Sequence, residues 1–460
     1  MRLPFIVTFP GFICASLLAG GCAMQAPMPV AAPQVPAQWR HPPAAAGLVK
    51  PDWWRSFGSE ELDRLVRQAR HESLDMAAAV ARVRQAQANA RMARAALLPE
   101  VALGVEAGRH GSLQSSGEGD ANAYSAALNA SFEVDFWGRN RALRDGAMAL
   151  LQASRFDRDT VQLTVTASVA AAWLNAVALR ERRRIAEQNL QLVERLLVLV
   201  EARERAGAAT ALELAQQRGL VAGQRRERTS LQAQAEDART LLGLLLAQIG
   251  AVEVEQATLA TLNVPAIGAG LPSELLVRRP DIARAEAELA AADANVVVAR
   301  AAMLPSLTLL GGIGTTGNVP RRVLDNPAYS VVAALAAPIF SGGRLAAGRA
   351  LALAQREELL AGYRRAIVAA FADVELALNA IQSLEVQARL QIEQRDQAQR
   401  ALTLAESRYR AGAETLLTLL DAQRSLYDAE DATVRVRLAQ LLAAVGLYKA
   451  LGGGWTAPPS

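Results

Sequence analysis

The chain has 460 residues, 52% hydrophobic and only 5% aromatic, and is rich in Ala, Leu, Gln, Arg and Glu. That mixture favours long helices and coiled coils over compact α/β domains. Its 49 basic and 45 acidic side chains are interspersed and leave a formal charge of only +4, with no basic stripe carrying aromatics, which excludes nucleic acid as the expected partner.

His41, His71 and His110 share no ligand spacing with Cys14 or Cys22, so neither a metal site nor a cofactor is expected. No Ser-His-Asp or Cys-His arrangement and no phosphate loop marks an enzyme. The N-terminus reads as an address. Residues 1–21 combine Arg2, an apolar run from Leu3 to Ala19 and small residues, as a secretory signal peptide does. Leu18-Ala19-Gly20-Gly21-Cys22 resembles the bacterial lipoprotein cleavage box, with Cys22 as the acylated first residue. Ala23, rather than Asp, follows it, as in lipoproteins sorted to the outer membrane. Residues 22–58 then read as a lipidated tether, extended and rich in Pro, Ala and Gln over 23–51. No later stretch approaches 18 uninterrupted apolar residues, so no transmembrane helix is expected.

Helical periodicity runs from about Ser59 to Leu97 and gives way to period two after Leu98-Pro99. Strands are expected at about 98–110 and 122–137. In the second, Tyr124, Ala126, Leu128, Ala130, Phe132, Val134 and Phe136 alternate with Ser, Ala, Asn, Glu and Asp. One apolar face and one small or acidic face over about ten residues suit a barrel with lipid outside and water inside, although a single such hairpin fits a solvent-facing hairpin on a soluble core better. Helix resumes after Gly138-Arg139 and reaches Arg205 without a proline, roughly 100 Å at 1.5 Å per residue. Ile185, Leu192 and Leu199 recur at heptad spacing along it. A tight tip is expected at 205–210, with Gly207 as the helix stop and Thr210 as the next N-cap. Another helix then runs over about 210–249.

The second half replays the first. Ala299-Arg300-Ala301-Ala302-Met303-Leu304-Pro305 echoes Ala93-Arg94-Ala95-Ala96-Leu97-Leu98-Pro99, and Tyr329-Ser330 and Gly343-Arg344 echo Tyr124-Ser125 and Gly138-Arg139. Strands are expected at about 304–315 and 328–341, with Pro338 where no ladder donor is needed. A long helix should reach Arg410, with a second tip at 410–415 carrying Gly412 and Thr415. Leu420, Tyr427, Val434, Leu441 and Tyr448 form a heptad seam on the last helix. The chain thus divides into a first structural repeat over 59–270, a second over 271–451 and a tail over 452–460. The fold class is mostly α with a small β part.

Four strands cannot close a lipid-facing barrel, and an open edge in a membrane leaves backbone groups unpaired. Closure requires several chains pooling their strands in a cyclic oligomer, with the long helices packed as a second tube.

The sequence here resembles the TolC-like outer-membrane factor family, in its lipoprotein (NodT-type) efflux branch. The carriers are Cys22, Trp53-Trp54-Arg55-Ser56-Phe57-Gly58, the two Leu-Pro strand openings, Phe136-Trp137-Gly138-Arg139, Arg278-Arg279-Pro280-Asp281-Ile282 and the tip from Tyr409 to Arg424. The resemblance implies a homotrimer whose twelve-stranded barrel in outer-membrane lipid continues into a periplasmic α-barrel. It implies docking to a periplasmic adaptor (membrane fusion) protein and a proton-driven inner-membrane pump. It also implies a periplasmic gate at Leu417 and Asp421, with Arg424 and Tyr409 as closing partners, and an acidic ring from one hairpin only, since Gln216 is the first-half equivalent. Arg205, Gly207, Thr210, Arg410, Gly412 and Thr415 are the implied adaptor-contact tips. The implied activity is passive export of drugs or other small solutes. Metal-ion efflux, type I protein secretion and a non-conducting coiled-coil envelope lipoprotein are the alternatives.

Overall fold

The computed structural model describes residues 35–40, 49–111, 121–322 and 325–457, which all belong to one compact unit, Pro33–Ser460. The signal-peptide reading and Cys22 lie outside the described residues.

The first helices are α1 (Glu60–Glu72) and α2 (Leu74–Ala95). Ser59 caps α1, its hydroxyl accepting the Leu62 N–H at 3.2 Å, and Leu62, Leu65, Val66 and Ala69 form the buried face. One unbroken helix was expected here. The chain instead breaks at Ser73, whose backbone leaves the helical region (φ −56, ψ 131). Neither Gly nor Pro marks that break.

Four strands follow the pattern of two hairpins: β1 (Glu100–His110), β2 (Ala121–Val134), β3 (Ser306–Gly317) and β4 (Pro327–Ala336). They form one antiparallel sheet in the order β1-β2-β3-β4, so β1 and β4 are its free edges. β2 stops three residues short of the expected 137 and β4 five short of 341. Asp135 turns back to accept the N–H groups of Asn140 and Arg141, at 3.1 and 2.9 Å, and so leaves the ladder to tie down the first turn of the next helix. β4 ends two residues before Pro338, which has no N–H to donate.

The β2 end leads directly into α3 (Arg139–Arg205), which turns at a tip into α4 (Ala211–Leu245). An irregular stretch crosses back to α5 (Leu275–Arg278) and α6 (Pro280–Ala301). β4 leads into α7 (Arg344–Arg410), and a second tip into α8 (Leu416–Ala450). Element lengths repeat between halves: 22 residues in α2 and α6, 67 in α3 and α7, 35 in α4 and α8. The helix expected from Ser273 is interrupted at Arg279, which is extended (φ −111, ψ 119) because Pro280 disfavours α geometry before it.

The main core gathers α1, α3, α7, α8 and the 246–271 crossing around Trp173, Phe57, Leu242, Leu259, Ile282 and Ile367. Arg180 binds the crossing's backbone carbonyls, and Glu181 accepts from Thr258 Oγ1 and the Leu259 N–H at 2.6 and 2.8 Å. The tether reading ends too late. Trp53, Trp54 and Phe57 form a buried 3-10 turn (Trp53–Phe57), with Trp53 stacked on Tyr448 at 4.8 Å. Trp39 is buried too, donating Nε1–H to the Gly270 carbonyl at 2.9 Å. Apolar area on these rings outweighs the Pro-rich composition around them. The tail is docked as well: Trp455 donates to Asp159 at 3.0 Å.

The heptad seam on α8 is largely buried, with Tyr427 half-buried. On α3 it drifts. Leu199 is 41% exposed, and Val193, Leu196 and Val200 are the buried residues, as a straight 3.6-residue helix moves off a seven-residue repeat. Both 67-residue helices also contain an 18-residue window apolar enough to cross a membrane, 56% buried in α3 and 22% buried in α7. At roughly 100 Å each helix is far longer than a bilayer is thick.

Candidate functional site

Two regions carry features beyond packing: the sheet and the two helical tips. In the sheet, antiparallel pairing keeps side-chain parity, so each face can be read across all four strands. Leu103 pairs with Leu128, Leu128 with Ile313, and Ile313 with Tyr329. Phe132 meets Leu309, and Val134 meets Leu307, which meets Leu335. One face is therefore continuously apolar, and it is unpacked: Leu103 is 71% exposed, Val331 81% and Leu335 73%. On the opposite face Glu106 pairs with Ser125, Ala102 with Asn129, and Asn129 with Gly312. Small and polar residues predominate on that opposite face, with Leu310 and Val332 as its large apolar exceptions, and an unpacked apolar face as extensive as the first marks an interaction surface.

At the first tip α3 ends on Gly207, whose φ of 73 is the left-handed conformation that closes a Schellman turn. The Ala208 N–H reaches the Arg203 carbonyl at 2.7 Å and the Gly207 N–H the Glu204 carbonyl at 2.9 Å. Thr210 and Glu213 then form a capping box: Thr210 Oγ1 accepts the Glu213 N–H at 3.2 Å, and Glu213 accepts the Thr210 N–H at 2.6 Å. The second tip repeats this with Gly412 (φ 71), Ala413 to the Arg408 carbonyl at 2.9 Å, and Thr415 capping Thr418 at 3.3 Å. Glu414 replaces the box acid. It accepts from the Thr415 N–H and the Thr418 hydroxyl, which, with Arg408 nearby, hold its carboxyl below the usual range. Arg205, Gly207, Thr210, Arg410, Gly412 and Thr415 are all exposed.

Leu417 and Asp421 stand one turn apart on the same exposed side of α8, Leu417 at 57% exposure. Arg424 Nη1 lies 3.8 Å from Asp421 Oδ1, a solvent-exposed pair of little energetic weight. The structure brings these three together but not Tyr409. That ring is buried against Leu416, Leu419, Leu420 and, from α3, Leu196 and Val200. The Arg203 guanidinium lies over it, 4.9 Å from the ring centroid. Tyr409 therefore joins the two hairpins rather than facing Asp421.

Sequence reasoning missed a second tie between hairpins. Arg182 on α3 grips buried Asp431 on α8 through Nε at 2.6 Å and Nη2 at 3.3 Å, and Arg435 adds a contact at 2.9 Å. Its members on α3 and α8 lie 249 positions apart, so no spacing could have revealed it. The Arg-Arg-Pro-Asp string resolves into a structural fork. Arg279 binds Asp281 at 2.9 and 2.7 Å, Asp373 at 3.0 Å and the Ala450 carbonyl at 3.2 Å. Among the described residues no group of His, Cys, Asp and Glu is arranged to hold a metal.

A family model described as outer membrane efflux protein matches residues 65–248 and again 271–453. The pyoverdine export outer membrane protein OpmQ of Pseudomonas putida is 50% identical over 471 residues, covering 98% of this chain and 99% of that protein. The antibiotic efflux pump outer membrane protein ArpC of Pseudomonas putida is 33% identical, with coverage of 96% and 94%. Among solved structures, the open state of the Neisseria gonorrhoeae MtrE outer membrane channel superposes with a TM-score of 0.84 at 28% identity, covering 92% of this chain and 97% of that one. With an efflux-protein model matched in both halves and relatives of up to 50% identity aligned over nearly the whole chain, the chain belongs to the outer membrane efflux protein family.

Proposed function

We propose that three copies of this chain form the outer-membrane exit duct of a tripartite efflux system, anchored by acylated Cys22 and joined through a periplasmic adaptor to an inner-membrane pump. The observation that carries this reading is the sheet. It has four strands, one continuous apolar face and two free edges, and its strands run straight into α3 and α7. A second and third copy would pair those edges and leave no backbone group open to hydrocarbon. The halves 59–270 and 271–451 are then two structural repeats, each contributing one β-hairpin and one helical hairpin.

In this reading the tips around Gly207 and Gly412 meet the adaptor. Leu417 and Asp421 narrow the periplasmic mouth, and three Asp421 carboxylates near one axis favour cations and repel one another when water is scarce. The OpmQ relative supports pyoverdine as cargo, ahead of the antibiotics named for the more distant ArpC.

Conductance of the purified protein in a planar bilayer tests the duct. Discrete channels are expected, with larger openings in Asp421→Ala. A folded trimer that passes no ions even with that substitution overturns the reading. Cargo is tested separately, by pyoverdine release from cells with and without the gene.

A further inference from the structure

Toward the tips the helices stand in a row. α4 packs against α3, α3 against α8 and α8 against α7, so α4 and α7 are its outer members. Both are bare: α7 exposes Leu376, Leu390 and Leu404, and α4 exposes Leu212, Leu241 and Leu244. The duplication supplies a matching face for each. α3 (139–205) corresponds to α7 (344–410), and α4 (211–245) to α8 (416–450), at a constant spacing of 205. The side of α3 that receives α8 therefore has a counterpart on α7, and the side of α8 that meets α3 has one on α4. Ile185, buried in the core, corresponds to Leu390, which is 60% exposed. The helix that fits over Leu390 is thus α4, but the α4 of this chain lies at the far end of the row. A second copy supplies another.

The likeness fails at particular residues. The fork of Arg182 on Asp431, at 2.6 and 3.3 Å, corresponds to Gln387 on α7 and Arg226 on α4, both exposed. Arg435, which adds its contact to Asp431 at 2.9 Å, corresponds to Ser230. Nearer the sheet, Gly146 lets α3 lie close to α6, where an added Cβ would stand 3.3 Å from Ala294 Cβ. Its counterpart on α7 is Leu351, 60% exposed, and the counterpart of α6 is α2.

Resting on the duct reading above, we propose that a second copy seats its α4 on the α7 face as α8 sits on α3, with Arg226 of the partner subunit donating to Gln387 and Leu390 covered. The joint between copies then has one amide–guanidinium contact where the joint within a chain has a charge-assisted fork. It also has a leucine where the other has a close-approach glycine. The joint between copies is the weaker of the two, so the row yields there before it yields within a chain.

Restoring the missing fork tests this on the intact protein. Gln387→Arg with Arg226→Asp should carry the Arg182–Asp431 pair across copies. The oligomer should then survive to a higher temperature on gels than the unaltered protein, whereas Gln387→Arg alone, facing Arg226, should dissociate at a lower one. A double variant that only sums its two singles overturns the proposal. Cross-linking is a second measurement that does not depend on stability. No cysteine follows Cys22, so Gln387→Cys with Arg226→Cys, treated with a short bis-maleimide, should give a ladder ending at three chains. Monomers alone, bridged internally or not at all, overturn the proposal. If the native mass is that of a trimer while both tests fail, the assigned joint is wrong and the duct stands. If the native mass is that of one chain, both fall.

Discussion

Two glycines show how the same backbone conformation carries different costs. Gly412 has φ +71 and nothing within 4 Å of an added Cβ, so Gly412→Ala meets only the strain of left-handed backbone, about 1–2 kcal/mol. Gly452 has φ +83, and its Cβ would strike the Arg278 carbonyl, so Gly452→Ala should cost clearly more. Denaturant melts of the two variants in detergent check the order; an equal loss would mean that the tail contact is loose. Asp281 gives a pH prediction. Burial disfavours its carboxylate, but the Arg279 fork and the N–H groups opening α6 outweigh that and hold its carboxyl below the ordinary value. A lowered folded value means stability present above the unfolded value near 4 and lost as pH falls through the folded one. Asp281→Asn should therefore flatten the stability profile below about pH 4, while costing stability near neutrality.

Among the elements, the tips were the most legible. Gly followed three residues later by Thr encodes stop and restart, because left-handed Gly closes one helix and a hydroxyl caps the next. The two caps should respond alike. Thr210→Ala and Thr415→Ala should each loosen the local turn by about 1 kcal/mol, read as faster amide exchange confined to the first turns of α4 and α8. The breaks at Ser73 and Arg279 were less legible. Ser73 carries no steric signal, and Pro280 can be read as either a first-turn proline or a kink. The strand ends were misjudged because alternation in the sequence outlasts the ladder: Phe136 keeps parity after Asp135 has already turned to cap α3.

For the whole molecule, the asymmetry of the sheet makes a prediction from neighbouring residues. Leu128 lies mid-strand on the apolar face and Asn129 on the opposite one. In the proposed duct Leu128→Arg would place a charge in hydrocarbon at about 2–4 kcal/mol per chain, whereas Asn129→Arg would face the lumen. Outer-membrane fractionation and heat-resistant oligomer on gels should show loss of assembly only for Leu128→Arg. If both variants assemble equally, the face is not lipid-exposed. The ties between hairpins act at the same scale. Arg182 with Asp431, and Arg203 over Tyr409, link α3 to the helices of the second hairpin at two levels. Asp431→Ala should leave Arg182 buried without its partner and lower the melting temperature.

What the sequence by itself determined is everything written in local periodicity: the long helices, the alternating strands, the tips and the echo between halves. The first three need only neighbours along the chain, and the echo needs only a string repeated at a fixed spacing. The tertiary structure decided what depends on residues far apart. It buried Trp39 and the Trp53–Phe57 turn in the core, moved Tyr409 into the hairpin interface, and paired Arg182 with Asp431. It also aligned four separate apolar rows into one face. Periodicity shows that each strand has an apolar side, but only register shows that the sides coincide, because a one-residue slip would turn a whole strand over.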